Sequence, residues 1–371
     1  MTSQIMQLNA ICPYFTMFPI DFPNKILDEY SSEKIRTVSD PFCGRGTTNF
    51  AARLRGLQTI GVDTSPVAIA ITSSKLISTD SFSIINEAKA ILQTKSDVDI
   101  PSGDFWDNAY DKETLFDICK IRDALIEDCT SNERIALMGI MLGALHGPVG
   151  KTKKSYLSNQ CPRTYAPKPA YSVRFWKKHN MHPLGIDVLD VIEHRANRYY
   201  NSTIPDCKSQ VLLGDSTTHS TITKIKKNLG ENGEGIDIII TSPPYLGMAT
   251  YVQDQWIRNW FIGGSDKIDY GKGKQIDHTI KNFHIDLGKV WKNWQSISKK
   301  NSILAIRFGS IGSKSTNPRE VIEKSLENTS WEIKSITSAG NPHASKKQSN
   351  SFSKTVRQTF EEIDVIARKY D

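Results

Sequence analysis

Long apolar runs are missing from this chain. None approaches the roughly 18 residues a membrane-crossing helix needs, although hydrophobic residues make up 38% of its 371. No membrane association is therefore expected. The opening Met1-Thr2-Ser3-Gln4 has neither the basic start nor the apolar core of a signal peptide, so a cytoplasmic location is expected. Cysteine is sparse. The six residues (Cys12, Cys43, Cys119, Cys129, Cys161 and Cys207) are scattered, and none forms a C-x-x-C pair. That pattern reads as free thiols in a reducing compartment, argues against structural zinc, and leads us to expect no metal. No repeats or low-complexity tracts interrupt the chain, which is long enough for one large domain or two modest ones.

Acidic residues are absent from one stretch in particular. From Lys151 to Lys178 there is no Asp or Glu, while Lys151, Lys153, Lys154, Arg163, Lys168, Arg174, Lys177 and Lys178 supply positive charge. Tyr156, Tyr165, Tyr171, Phe175 and Trp176 are interleaved among them. Basic side chains with intervening aromatics suit a phosphate backbone and unstacked bases, so these eight residues are the expected nucleic-acid contacts. A solvated basic loop is the plainer alternative. The net charge of +7 is modest, and its distribution says more than its sum.

The remaining segments alternate between strand and helix patterns. Ile35 to Asp40 reads as a first strand, followed by a turn with two glycines, Gly44 and Gly46, and a helix from Asn49. A second strand, Thr59 to Asp63, precedes a helix around Val67 to Lys75. From Phe82 to Leu145 apolar residues recur at helical spacing. Strands resume at Gln210–Asp215, Ile236–Thr241, Ser302–Arg307, Trp331–Thr337 and Ile363–Ala367. Seven strands with one helical insert predict an α/β protein with a mostly parallel, doubly wound sheet. The run Ile236-Asp237-Ile238-Ile239-Ile240 stops abruptly at Thr241-Ser242-Pro243-Pro244-Tyr245. A buried strand that ends at two prolines makes a stiff ledge where open α/β sheets bind their ligands. It offers a hydroxyl, backbone carbonyls and one flat face, which suits a planar substrate with an exocyclic amine. Trp256 and Trp260, four residues apart, share one helical face, which is more often core packing than a pocket wall.

Asp40-Pro41-Phe42-Cys43-Gly44-Arg45-Gly46-Thr47-Thr48 resembles the cofactor motif of S-adenosylmethionine-dependent DNA amino-methyltransferases. Thr241 to Tyr245 is similar to their catalytic motif, in the T-S-P-P-Y form commonest among cytosine-N4 enzymes. Tyr14 to Phe22 resembles their third cofactor motif, with Ile20 where glycine is usual. The likeness covers residues 11–75 and 208–310. It implies a Rossmann-like class I methyltransferase fold, with residues 1–75 and 205–371 as the catalytic domain. Residues 76–204 would then be a helical insert carrying target recognition.

The resemblance also implies roles. Phe42, Gly44 and Gly46 would hold the methionine end of S-adenosylmethionine, with Phe18 and Pro19 packing there. Asp40 would lie near its charged groups, and Thr47 or Thr48 would bind its carboxylate. Asp63 would accept from the ribose hydroxyls, or else cap the helix beyond Thr64-Ser65-Pro66. Asp215 would meet the adenine amine, or else cap the helix after Ser216 and Thr217. Ser242 and the Pro243 carbonyl would accept the two N–H bonds of a flipped-out base, with Pro244 stiffening the loop and Tyr245 stacking on the base. The expected partner is double-stranded DNA, with a cognate restriction endonuclease by analogy with prokaryotic and phage restriction–modification systems. Adenine N6 is the alternative target. An RNA amino-methyltransferase and a non-catalytic DNA-binding protein are further alternatives. Cytosine-C5 chemistry is disfavoured, because the chain has Cys12-Pro13 and Cys161-Pro162 but no Pro-Cys pair.

Overall fold

The computed structural model describes residues 5–13, 19–149, 154–158, 168–229, 235–245, 255–268, 282–309, 317–340 and 362–370. They fall into two compact units. The sheet unit is Thr16–Thr72, Cys207–Ala249 and Gly273–Asp371, and the helical unit is Met1–Phe15, Ser73–Asp206 and Thr250–Lys272.

The sheet unit holds β1 (Thr37–Asp40), β2 (Gln58–Asp63), β3 (Ser209–Leu213), β4 (Ile236–Thr241), β5 (Ser298–Gly309), β6 (Trp331–Gly340) and β7 (Glu362–Lys369). They form one seven-stranded sheet in the order β3-β2-β1-β4-β5-β7-β6. The pairs from β3 through β5 are parallel, while β7 runs antiparallel to both β5 and β6. The mostly parallel, doubly wound expectation therefore holds, with the reversal confined to one edge. The central strands are apolar on both faces because both faces are covered. Ile238 and Ile240 of β4 join Val38, Ile303 and Ala305 in one core with Phe22, Ile26 and Leu27 of the helix Asp21–Glu29. Ile236 and Ile239 join Ile60, Leu304 and Ile306 in the other, packed on Trp291 and Trp294 of the helix Phe283–Gln295. Each buried Ile, Leu, Val or Phe side chain among these contributes about 2 kcal/mol.

The one charged residue of β4 has a structural use. Asp237 accepts backbone N–H bonds from Arg36 and Thr37, both at 2.9 Å, and pairs with Lys299 at 2.7 Å. It pins the starts of β1 and β5 to β4. The first strand also begins two residues later than its apolar pattern suggests, because Lys34 turns the chain with φ 53° and those two amides go to Asp237.

The helical unit contains helices at Ser81–Gln93, Asp104–Ala109, Lys112–Glu127, Asn132–Ala144, Pro169–Lys178, Val188–Tyr199 and Trp256–Phe261. Local capping sets several boundaries: Asp80 accepts from the Ser83 N–H, Ser131 from Arg134 and Asp187 from Asp190. Two segments outside residues 76–204 belong to this unit for specific reasons. Buried Arg195 reaches the Ile11 and Gly143 carbonyls, which ties in the N-terminal turn. Trp256 and Trp260 are buried against Phe105 and Trp106, with the Trp106–Trp260 ring centroids 4.5 Å apart. That aromatic pair is core. No helix among the described residues is long and apolar enough to cross a membrane.

Candidate active site

The glycine turn and the proline ledge occupy the carboxyl ends of adjacent parallel strands, β1 and β4. The turn is tight: the Gly46 N–H donates to the Cys43 carbonyl at 2.7 Å, and the Cys43 N–H to Val62 at 2.9 Å. Gly44 and Gly46 both have positive φ, 51° and 73°. At Gly46 an added Cβ would stand 2.6 Å from Thr72 Cγ2, whereas at Gly44 it would meet only the Phe42 carbonyl oxygen at 4.0 Å. Glycine is needed twice, once for close packing and once leaving open backbone. Thr72 and Ser216 brace the turn from below. Thr72 Oγ1 donates to the Gly44 carbonyl at 3.0 Å, and Ser216 Oγ to Pro41 at 2.8 Å.

Asp40 and Thr241, 201 residues apart in sequence, are joined directly. Thr241 Oγ1 donates to Asp40 Oδ1 at 2.6 Å, and the Phe42 N–H donates to the same oxygen at 3.0 Å. Asp40 has no exposed surface, and its Oδ2 is buried without a hydrogen-bond partner. Burial pushes the carboxyl up to about 7, against the pull of these hydrogen bonds. Thr48 also faces inward, donating to the Ile240 carbonyl at 3.0 Å, so its hydroxyl ties the helix Thr47–Arg53 to β4 and does not point outward to a carboxylate. Thr47 is buried beside it.

Asp63 closes β2 with both oxygens engaged. Oδ2 accepts from the Gly44 N–H at 2.9 Å and Oδ1 from Ser65 at 2.8 Å. Burial raises its carboxyl above the usual range, and these backbone bonds oppose the rise. It links the second strand to the glycine turn as well as starting the next helix. Asp215 is exposed and caps locally, with Oδ1 accepting from both the N–H and the hydroxyl of Thr217 at 2.8 and 2.7 Å. Phe42 lies edge-on to Trp291, with ring centroids 6.4 Å apart. Pro19 is exposed and starts the turn into the helix Asp21–Glu29, while Phe18 lies outside the described residues. Ile20 packs on the core with ordinary helical dihedrals, so a side chain is accommodated where the related motif has glycine.

On the ledge, Pro243 is buried, and Ser242, Pro244 and Tyr245 are half-buried. Tyr245 lies edge-on to Phe308 of β5 and donates its hydroxyl to Glu362. Burial and the Glu362 charge raise its phenol well above the ordinary range. Glu362 itself is 6% exposed. Two positions along β7, Asp364 binds Arg307 through two bonds of 2.7 Å, and that guanidinium lies 4.2 Å from the Phe22 ring. Arg307 therefore meets an acid. Sequence reasoning does not find Glu362, Thr72 and Ser216, because nothing local distinguishes them; only the register of β5 on β7 and the strand-end loops bring them here.

The basic stretch belongs to the helical unit. Lys151, Lys153, Arg163 and Tyr165 lie outside the described residues. Lys168, Arg174, Lys177 and Lys178 are exposed on or beside the helix Pro169–Lys178. Tertiary neighbours modify the charge run: Lys177 pairs with Asp104 at 3.3 Å and Lys154 with Asp190 at 3.1 Å. Both pairs are exposed and weak, worth about 0–1 kcal/mol. Two of the aromatics serve the protein interior. Trp176 is buried, and Tyr156 stacks on the Arg195 guanidinium 4.8 Å away. Tyr171, Phe175 and His179 form a ladder along the helix, with successive ring centroids 6.3 and 4.5 Å apart.

Among solved structures, the chain is similar to the rRNA methyltransferase aviRa from Streptomyces viridochromogenes at 12% identity and a TM-score of 0.36, covering 96% of this chain and 87% of that one. An S-adenosylmethionine-dependent methyltransferase from Clostridium acetobutylicum shows 8% identity and a TM-score of 0.35, covering 96% and 93%. These likenesses are distant, and the fold rests on the strand order described above. A search of curated proteins finds no match. Residues 4–74, which include the glycine turn and Asp63 but not the ledge, match the family model N6_N4_Mtase, described as DNA methylase. The sheet and its single reversed strand make this a Rossmann-like, doubly wound fold, and its residues 4–74 are similar to the DNA methylase family.

Proposed function

We propose that this protein transfers a methyl group from S-adenosylmethionine to the exocyclic amine of a flipped-out base in double-stranded DNA, at cytosine N4. The observation that carries the reading is the Thr241–Asp40 hydrogen bond, which couples the first residue of the proline ledge to the first residue of the glycine turn. A donor site and an amine site on adjacent strand ends are what methyl transfer between two bound molecules needs.

The turn fits the cofactor. The backbone at Gly44 is open to close approach, and the buried, unpartnered Asp40 Oδ2 suits a nearby ammonium or sulfonium charge. Phe42, Gly44 and Gly46 would hold the methionine end and Asp63 the ribose hydroxyls, at the strand end where such acids bind. S-adenosylmethionine supplies an electrophilic methyl group when bound. The protein's own contribution falls on the amine, whose lone pair is delocalised into the base ring. Ser242 Oγ and the Pro243 carbonyl accept its two N–H bonds and draw the nitrogen toward tetrahedral geometry. Serine is too weak a base to take the proton, so its part is orientation and dipolar stabilisation. Tyr245, fixed at its hydroxyl, gives the extruded base a rigid wall. The exposed cations and aromatic ladder of the helix Pro169–Lys178 serve phosphate and base contact.

The test is transfer of labelled methyl groups to unmethylated DNA, followed by digestion to nucleosides. N4-methyldeoxycytidine is expected. N6-methyldeoxyadenosine would reassign the base and keep the chemistry, whereas label in RNA alone, or cofactor binding without transfer, would overturn the reading. Ser242→Ala is expected to lower the single-turnover rate about 100-fold or more while cofactor affinity is retained.

A further inference from the structure

The helix Pro169–Lys178 has two unlike sides. Ser172, Val173 and Trp176 are buried and anchor it in the helical unit. Tyr171, Arg174, Phe175 and Lys178 stand at i, i+3, i+4 and i+7, the spacing that puts side chains on one face. Lys168, one turn earlier, and His179, just past the last helical residue, extend that face. Tyr171 is 40% exposed, an aromatic ring left in water, and Lys168, Arg174, Lys178 and His179 are exposed beside it. The Tyr171 and Phe175 rings are stacked with 29° between their planes, and His179 closes on Phe175 at 42°. The face is a strip of rings bordered by cations. Among the described residues, Lys168, Arg174 and Lys178 meet no acid, whereas Lys177, on the flank, is paired with Asp104.

These two kinds of side chain select different features of a nucleic acid. Cations attract phosphates on paired and unpaired strands alike. A ring offers its flat face, and in a duplex the flat faces of the bases are covered by their neighbours in the stack. An aromatic pair that merely stiffened the helix would need no cations without acidic partners beside it. We propose that this face is a stacking site for the bases of an unpaired stretch of DNA, with Lys168, Arg174 and Lys178 holding its phosphates. It rests on the DNA-methylation reading above and adds the state of the partner. That partner is a strand whose pairing is locally broken, as extrusion of a base requires.

The test uses the full-length protein and labelled DNAs of one sequence: a single strand, a paired duplex, and the duplex with a bubble of about four mismatched pairs. Affinities are measured by fluorescence anisotropy at several salt concentrations. The wild-type protein should bind the bubble about fivefold more tightly than the paired duplex, or better. Tyr171→Leu with Phe175→Leu keeps apolar bulk and helix propensity but removes both ring faces. This double variant should lose the preference and bind the single strand about tenfold more weakly, with an unchanged salt slope. Tyr171→Phe, which keeps the ring, should retain the preference. With 2-aminopurine in the bubble, binding should quench its emission in the wild type and not in the double variant. Equal affinities for bubble and duplex in the wild type, or a preference that survives loss of both rings, overturn the stacking site alone. Should the double variant fail to fold, Tyr171→Leu at the exposed position and the wild-type quenching decide the matter. A wild-type protein that binds none of these DNAs overturns the functional reading and this site with it.

Discussion

Asp40 shows how one residue can link stability to the site. Its carboxyl ordinarily titrates near 3.8, and burial moves it to about 7 in the folded chain. Between these values the folded state holds a proton that the unfolded state has released. The unfolded chain therefore binds fewer protons, and stability falls as pH rises. The associated stability is fully present below the unfolded value, declines from about pH 4, and is gone above the folded value. Its size is on the order of 4 kcal/mol. Asp40→Asn should remove this decline, read as a flatter dependence of the urea midpoint between pH 4 and 8. An equally steep curve in the variant would show that other groups set it.

At the scale of a turn, the two glycines separate packing from binding. Gly46→Ala places a methyl group 2.6 Å from Thr72 in a conformation that side chains rarely adopt. We expect a loss of about 2 kcal/mol or more in unfolding free energy. Gly44→Ala meets only one carbonyl oxygen, at 4.0 Å, so its stability cost should stay near 1 kcal/mol, from backbone conformation alone. Its effect should instead appear in titration calorimetry with S-adenosylmethionine, as affinity at least tenfold weaker. Comparable losses of stability in the two variants would place both glycines in packing.

For the whole molecule, the basic helix tests the DNA partner. Lys168, Arg174 and Lys178 are exposed, and the charge they present is sequence-independent. Replacing all three with alanine should lower the slope of log affinity against log salt by about 2 to 3, at roughly 0.9 for each phosphate no longer neutralised. The weakening should be similar across DNA sequences. An unchanged slope would assign these residues to the solvated surface. Lys154 and Lys177 are poorer choices for this test, because Asp190 and Asp104 already neutralise part of their charge.

The amino-acid sequence by itself determined the strands, the glycine turn, the proline ledge and the acid ending the second strand. Each of these follows from chemistry within a few residues: short runs of β-branched apolar residues, the freedom of glycine, the rigidity of proline. It also showed the basic stretch, but not which of its aromatics would be buried, since Trp176 and Tyr171 are equally aromatic until packing separates them. Only the tertiary structure decided that Asp40 faces Thr241, that Thr48 turns inward to Ile240, that Arg307 meets Asp364 and that Tyr245 is held by Glu362. Those pairings depend on strand order and register over 57 to 201 residues. Hydrophobic patterning specifies which face of a strand is buried, but the identity of the neighbour across it emerges only when the whole sheet has assembled.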